Sequence, residues 1–131
     1  MRIRLLLAVL LAAAGLSCAT APSGRVYRVT WGSTDLGNEG PALKAQLDRQ
    51  LREELQHRGA TLIDDADPRA AIILRPKLSV SAHGLELNLA GVRSTDQQLL
   101  GSASMKATGS SRNAQVTAIV KRACLEADRF Q

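Results

Sequence analysis

The chain has 131 residues, of which 45% are hydrophobic, and its 17 basic and 12 acidic side chains give a formal net charge of +5. The basic residues are interleaved with acids, as in Asp48-Arg49 and Arg52-Glu53-Glu54, and the aromatics are only Tyr27, Trp31 and Phe130. That composition lacks the basic stripe with stacking rings that a nucleic-acid surface needs, and it leaves room for one domain with a core of its own, without metal or disulfide staples.

Met1-Arg2-Ile3-Arg4 is a short basic start, Leu5 to Leu16 is an apolar run, and Ala14-Gly15-Leu16-Ser17-Cys18 closes it with small residues and a cysteine. This order is an export signal. Its end resembles a lipobox, in which the cysteine takes a diacylglycerol and becomes the mature N-terminus. Gly15 stands where such motifs usually carry leucine. Two A-x-A sites, Ala12-Ala13-Ala14 and Ala19-Thr20-Ala21, leave ordinary secretion open as an alternative. An uncleaved anchor is the third reading, but Pro22 ends the run short of the ~20 apolar residues that a spanning helix wants. We read residues 1–17 as a lipoprotein signal, Cys18 as the lipidation site, residues 18–24 as a lipid-anchored tether and residues 25–131 as one domain. Loss of Arg2 and Arg4 with the signal lowers the charge to +3. If Cys18 is acylated, Cys124 is unpaired, as a buried thiol usually is. Cleavage upstream of Cys18 would instead permit a Cys18–Cys124 disulfide.

Arg25 to Trp31 alternates and reads as a first strand, followed by a loop of turn residues from Gly32 to Gly40. Pro41 suits a helix start. Leu43, Leu47, Leu51 and Leu55 then recur every four residues with charge between them, an amphipathic helix that Gly59 ends. His57 and Arg58 fall in its last turn, where cations suit the helix dipole. Ala60 to Asp64 is a short second strand and Asp65-Ala66-Asp67-Pro68 a turn.

The cleanest pattern follows. Ile72, Leu74, Pro76, Leu78, Val80 and Ala82 share one face of a long strand, with Ile73, Arg75, Lys77, Ser79, Ser81 and His83 on the other. Leu85, Leu87 and Leu89 continue the alternation. A two-residue turn at His83-Gly84 pairs Ala82 with Leu85, Val80 with Leu87 and Leu78 with Leu89. Pro76, lacking an N–H, is expected at a bulge or an edge. A second turn at Ser94-Thr95-Asp96-Gln97 leads to a strand over Leu99 to Thr108, with Leu99, Gly101, Ala103, Met105 and Ala107 on the buried face. Ser110 or Ser111 caps the last helix, whose stripe is Val116, Ile119, Val120, Ala123, Ala127 and Phe130, with Cys124 on its flank. The order β-α-β-β-β-β-α, with a right-handed crossover making the first two strands parallel and an antiparallel meander after them, predicts an α+β two-layer sandwich. It has a mixed sheet of four to five strands and two helices on one face. The other sheet face carries Arg75, Lys77, Ser79, Ser81, Glu86, Asn88, Ser102, Ser104 and Lys106.

The leucine-striped helix ending in glycine, then Ala60-Thr61-Leu62-Ile63-Asp64-Asp65 and the entrance Ala70-Ala71-Ile72-Ile73-Leu74 to a long strand, all behind a lipoprotein signal, resemble the lipopolysaccharide-assembly lipoprotein of Gram-negative outer membranes. The amino-terminal domain of TolB and the curli-secretion lipoprotein share much the same element order. The resemblance implies an outer-membrane, periplasm-facing subunit that helps assemble a large β-barrel and meets lipopolysaccharide. This chain is shorter, with tighter turns, than that family.

For catalysis the chain offers little: His57 at a helix end, His83 in a hairpin turn, no G-x-S-x-G elbow, and a cysteine inside a helix rather than at its positive end. Asp64, Asp65 and Asp67 are the one carboxylate cluster. They suit either a hard cation or a turn in which Asp bonds the local backbone, and lacking EF-hand spacing we read them as a turn. Trp31 beside its glycine-containing loop is either a partner anchor or a cap on the core. We expect no enzyme, cofactor or metal. We expect a membrane anchor at Cys18 and an envelope partner met through Arg75, Lys77, Lys106 and Trp31, with an outer-membrane β-barrel, an acidic partner and anionic lipid as its candidates. A sheet edge is a further contact candidate. A soluble periplasmic ligand-binding module is the alternative, and a small hydrolase a second one.

Overall fold

Two helices cover one face of a five-stranded mixed sheet in a computed structural model that describes residues 24–32, 39–109 and 111–130. The signal segment, Cys18, the tether up to Ser23 and most of the loop after Gly32 lie outside the described residues. The elements are β1 (Val26–Val29), α1 (Gly40–His57), β2 (Thr61–Leu62), β3 (Ile72–Val80), β4 (Gly84–Arg93), β5 (Leu99–Thr108) and α2 (Arg112–Arg129). The sheet order is β2-β1-β3-β4-β5, with β1 parallel to β2 and β3 and an antiparallel meander from β3 to β5. This is the expected α+β sandwich.

The helix ends follow local chemistry. Pro41 occupies the first turn of α1. At the other end Gly59 takes φ 91°, which only glycine adopts without strain, and the Ala60 N–H reaches Leu55 O at 3.0 Å while the Gly59 N–H reaches Gln56 O at 2.9 Å. This pair of bonds closes the helix and satisfies two terminal carbonyls. Ser111 starts α2, its hydroxyl accepting from the Ala114 N–H. The Leu43, Leu47, Leu51 and Leu55 stripe packs against Leu74, Leu78, Leu87 and Leu89 of the sheet and the Val116, Ile119, Ala123 and Ala127 stripe of α2. Each such leucine contributes roughly 1.5–3 kcal/mol by leaving water.

Four expectations need correction. The first hairpin turns at Ala82-His83, one residue earlier than His83-Gly84, so Val80 faces Leu85, Leu78 faces Leu87 and Pro76 faces Leu89. The shift is two residues in register, which keeps every side chain on its face and so satisfies the hydrophobic pattern equally well. Local chemistry decides between them. The Ser81 hydroxyl accepts from the Gly84 N–H at 3.2 Å, the Ser81 N–H donates to Gly84 O at 3.0 Å, and a Cβ on residue 84 would strike the Ala107 carbonyl oxygen.

Pro76 lies in an internal strand rather than at a bulge or outer edge. Its carbonyl accepts from the Gly32 N–H at 3.0 Å and therefore points toward the β1 side. The missing N–H points the same way, past Val29, where the β1 strand has ended.

Leu99 is 59% exposed instead of buried. The register slips between Gly91 and Val92, so Gly91 pairs with Gly101 but Val92 pairs with Leu99, and Leu100 becomes the extra residue. One inserted residue sends Leu99 to the opposite face. The far face is also less uniformly polar than its pattern implied. Ile73 and Val92 pair there and are buried with Ile63 and Ala71, outside the main core. Arg28, the register partner of Ile73, donates to Asp64 O at 3.2 Å and Asp67 O at 2.7 Å and so pins the β2–β3 loop over this corner.

Cys124 is fully buried, as expected of an unpaired thiol, and joins the core with the rest of the stripe. Burial pushes its thiol up to about 12, against a smaller opposing pull from Arg58, so the thiolate needed for nucleophilic chemistry is scarce at neutral pH.

Candidate functional site: the open sheet face

The face of the sheet turned away from the helices is built in cross-strand rows. Arg75, Ala90 and Ser102 form one row, Lys77, Asn88 and Ser104 the next, and Ser79, Glu86 and Lys106 the third. Alternation along three long strands places these residues together. The helices cannot cover this side, because the crossover put both of them on the other. A shallow concavity of about 460 Å³ lies on this face, lined by Gly32, Arg75, Lys77, Ala90, Ser102 and Ser104 among others. Its middle is made of small side chains, with the long cations on the β3 side. Between the layers the buried side chains of the described residues pack into one core.

Arg75, Lys77 and Lys106 share this face, as their spacing predicts, but they do not form one cluster. Lys106 stands two strands, about 10 Å, from β3, and its ammonium turns to Glu86 at 3.9 Å. Arg75 donates to the Gln97 side chain at 3.3 Å. Lys77 is exposed. Trp31 is elsewhere. Its indole N–H donates to Asp48 at 2.8 Å, the Lys44 ammonium sits 5.6 Å from its ring, and it packs half-buried against the core on the α1 side. It packs on the core at the end of β1. Cys18 lies outside the described residues.

The acidic cluster is a turn. Asp64 accepts from the Ala66 and Asp67 N–H groups at 3.0 and 3.1 Å, Asp67 accepts from the Arg69 N–H at 3.0 Å and pairs with its guanidinium at 2.7 Å, and Asp65 faces Arg28 at 3.9 Å. Hydrogen bonds from Arg69 hold the Asp67 carboxyl down at about 2. A depressed carboxyl contributes stability above its unfolded value and loses it as pH falls through the folded one. Arg69→Ala is therefore expected to return the Asp67 titration toward its ordinary value of 3.8, followed by carboxyl NMR shifts. A titration that stays near 2 in that variant contradicts the assignment.

His57 lines a polar groove between α1 and α2 with Glu53, Glu54, Thr117 and Lys121, while His83 sits in the first hairpin turn. Among the described residues neither imidazole hydrogen-bonds a serine or a carboxylate. The sequence reading missed three arginine hubs. Arg25 donates to Ala127 O and Phe130 O, tying β1 to the end of α2, and Arg112 joins Glu39, Ser81 O and Gln115. Arg28 is the third. No local motif marks such contacts, since each joins segments far apart in the chain.

The fold defines the class: a small α+β domain with a bare sheet face. No protein-family model matches the chain, and no curated protein matches it. Solved structures do. A PelC variant from Paraburkholderia phytofirmans, described as a dodecamer, superposes with a TM-score of 0.57 at 14% identity, covering 85% of this chain and 91% of that one. A Xanthomonas campestris protein of the DUF330 family gives 0.43 at 12% identity over 80% and 79% of the two chains. Rare lipoprotein B of Shewanella oneidensis gives 0.33 at 17% over 79% and 89%. The chain shares its fold with PelC.

Proposed function

We propose that this chain is a non-enzymatic, lipid-anchored subunit of the cell envelope, held at the outer membrane by a diacylglycerol on Cys18 and acting in the assembly of a larger complex. The observation that carries this reading is the basic, apolar, small-residue order that ends at Cys18, followed by the six residues 19–24 before the folded domain. The dodecamer described for PelC, whose fold the chain shares, favours a subunit that associates with its own kind. In its finer form the reading makes the chain an accessory of an outer-membrane β-barrel, in the manner of lipopolysaccharide assembly. The open sheet face with Arg75 and Lys77 is then available to the partner or to anionic lipid.

The test is the intact mass and membrane partition of the wild-type protein and Cys18→Ser. Wild type is expected in the membrane fraction with added mass of a diacylglycerol and an acyl chain on a mature chain beginning at Cys18. Cys18→Ser is expected to lack that mass. A wild-type protein that is exported, unmodified and fully soluble overturns the reading. Co-purification from detergent-solubilised membranes then tests for the β-barrel partner.

A further inference from the structure

The two edges of the sheet are unequal. On one side β2 is two residues long, whereas on the other β5 runs for ten residues, Leu99–Thr108, and pairs only with β4. No other strand among the described residues meets its outer N–H and C=O groups. Natural sheets blunt such edges with proline, inward charges or bulges. β5 has no proline and one charge, Lys106, which leans inward to Glu86 at 3.9 Å. Its irregularity is confined to Leu99 and Leu100, so the stretch from Gly101 to Thr108 is regular. The core is also open along this margin. Leu100, Gly101 and Ala103 on the core side are only half-buried.

We infer that β5 pairs antiparallel with β5 of a second copy of this chain, joining two sheets into one. This rests on the self-association in the proposed function and names the surface that performs it. A second copy as the occupant follows from the self-association proposed above, and charge selects the direction. In a parallel in-register pair Lys106 would face Lys106, and like charges directly opposite are unfavourable. In an antiparallel pair centred on Ser104, each Lys106 faces Ser102 of the other copy and each Met105 faces Ala103, a large side chain against a small one. The arrangement is a two-fold, self-complementary contact, and it covers the apolar margin at Leu100 and Ala103.

The mature chain carrying Cys18→Ser is the sample, since the buried core lies wholly between Tyr27 and Phe130. Light scattering over a concentration series is expected to show association of this chain. Adding Ser102→Lys and Ser104→Lys, which brings like charges together across the proposed contact, is expected to weaken that association at least tenfold, in line with the penalty for facing like charges. In the parent chain the amides of residues 101–108 are expected to exchange faster on dilution into the monomer range. A parent chain that stays monomeric at high concentration overturns the inference while leaving the lipid-anchor result standing. Unchanged association in the double-lysine variant, or concentration-independent exchange at 101–108, overturns the edge assignment alone, as does a stable complex formed through another surface.

Discussion

Phe130→Ala is expected to destabilise the domain by about 3–5 kcal/mol, the usual cost of deleting a buried phenylalanine side chain. The ring is 3% exposed and lies on two glycines that face each other across β4 and β5, Gly91 and Gly101. A Cβ at either position would fall within the ring: on Gly101 it would stand 2.7 Å from Cδ1, and on Gly91 it would overlap Cδ2. The absence of side chains there is thus what makes the socket, and the aromatic covers strand backbone that would otherwise be bare. Against a total stability of roughly 5–15 kcal/mol for a domain of this kind, the loss is a large fraction. Urea denaturation measures it. Gly91→Ala alone is expected to cost about 1–3 kcal/mol by overpacking. The double variant is expected to be more stable than the sum of the two losses predicts, because the added methyl group enters the space the ring has left. Strict additivity would show that ring and glycine do not share the site.

Leu47→Ala is expected to cost about 2–5 kcal/mol, in the middle of the α1 stripe where Leu47 is fully buried. The stripe joins α1 to both the sheet and α2, so the loss falls on the contact that makes two layers one domain. An exposed residue on the same helix, Gln56, provides the control: Gln56→Ala is expected to change stability by no more than about 0.5 kcal/mol. Equal effects at the two positions would contradict the burial.

These two sites differ in how they announce themselves. The leucine stripe is legible because a helix repeats every 3.6 residues and the spacing of Leu43, Leu47, Leu51 and Leu55 states which side is inward. The Phe130 socket is invisible in sequence. Gly91 and Gly101 are brought opposite each other by strand register, and Phe130 reaches them from the far end of α2. The candidate site divides the same way. Alternation put Arg75, Lys77 and Lys106 on the open face, but only cross-strand pairing separated Lys106 from the other two and turned it toward Glu86. The Trp31 indole reaches Asp48 on α1, seventeen residues away, a contact that no local pattern marks.

The contrast between the ends of the chain follows the same physics. The proposed export signal and lipidation at Cys18 would be read by linear machinery, so that proposal rests on consecutive residues. Periodicity likewise decided the element order, the two buried helix stripes and the alternation of β3 and β4. Tertiary structure alone decided the two-residue slip in the first hairpin, since both registers satisfy the pattern and the Ser81–Gly84 bonds chose between them. It decided the exposure of Leu99 through one extra residue at the β5 bulge, and it left β5 rather than β2 as the long open edge. Each of these depends on which backbone groups meet across strands, a relation that side-chain periodicity along one strand does not encode.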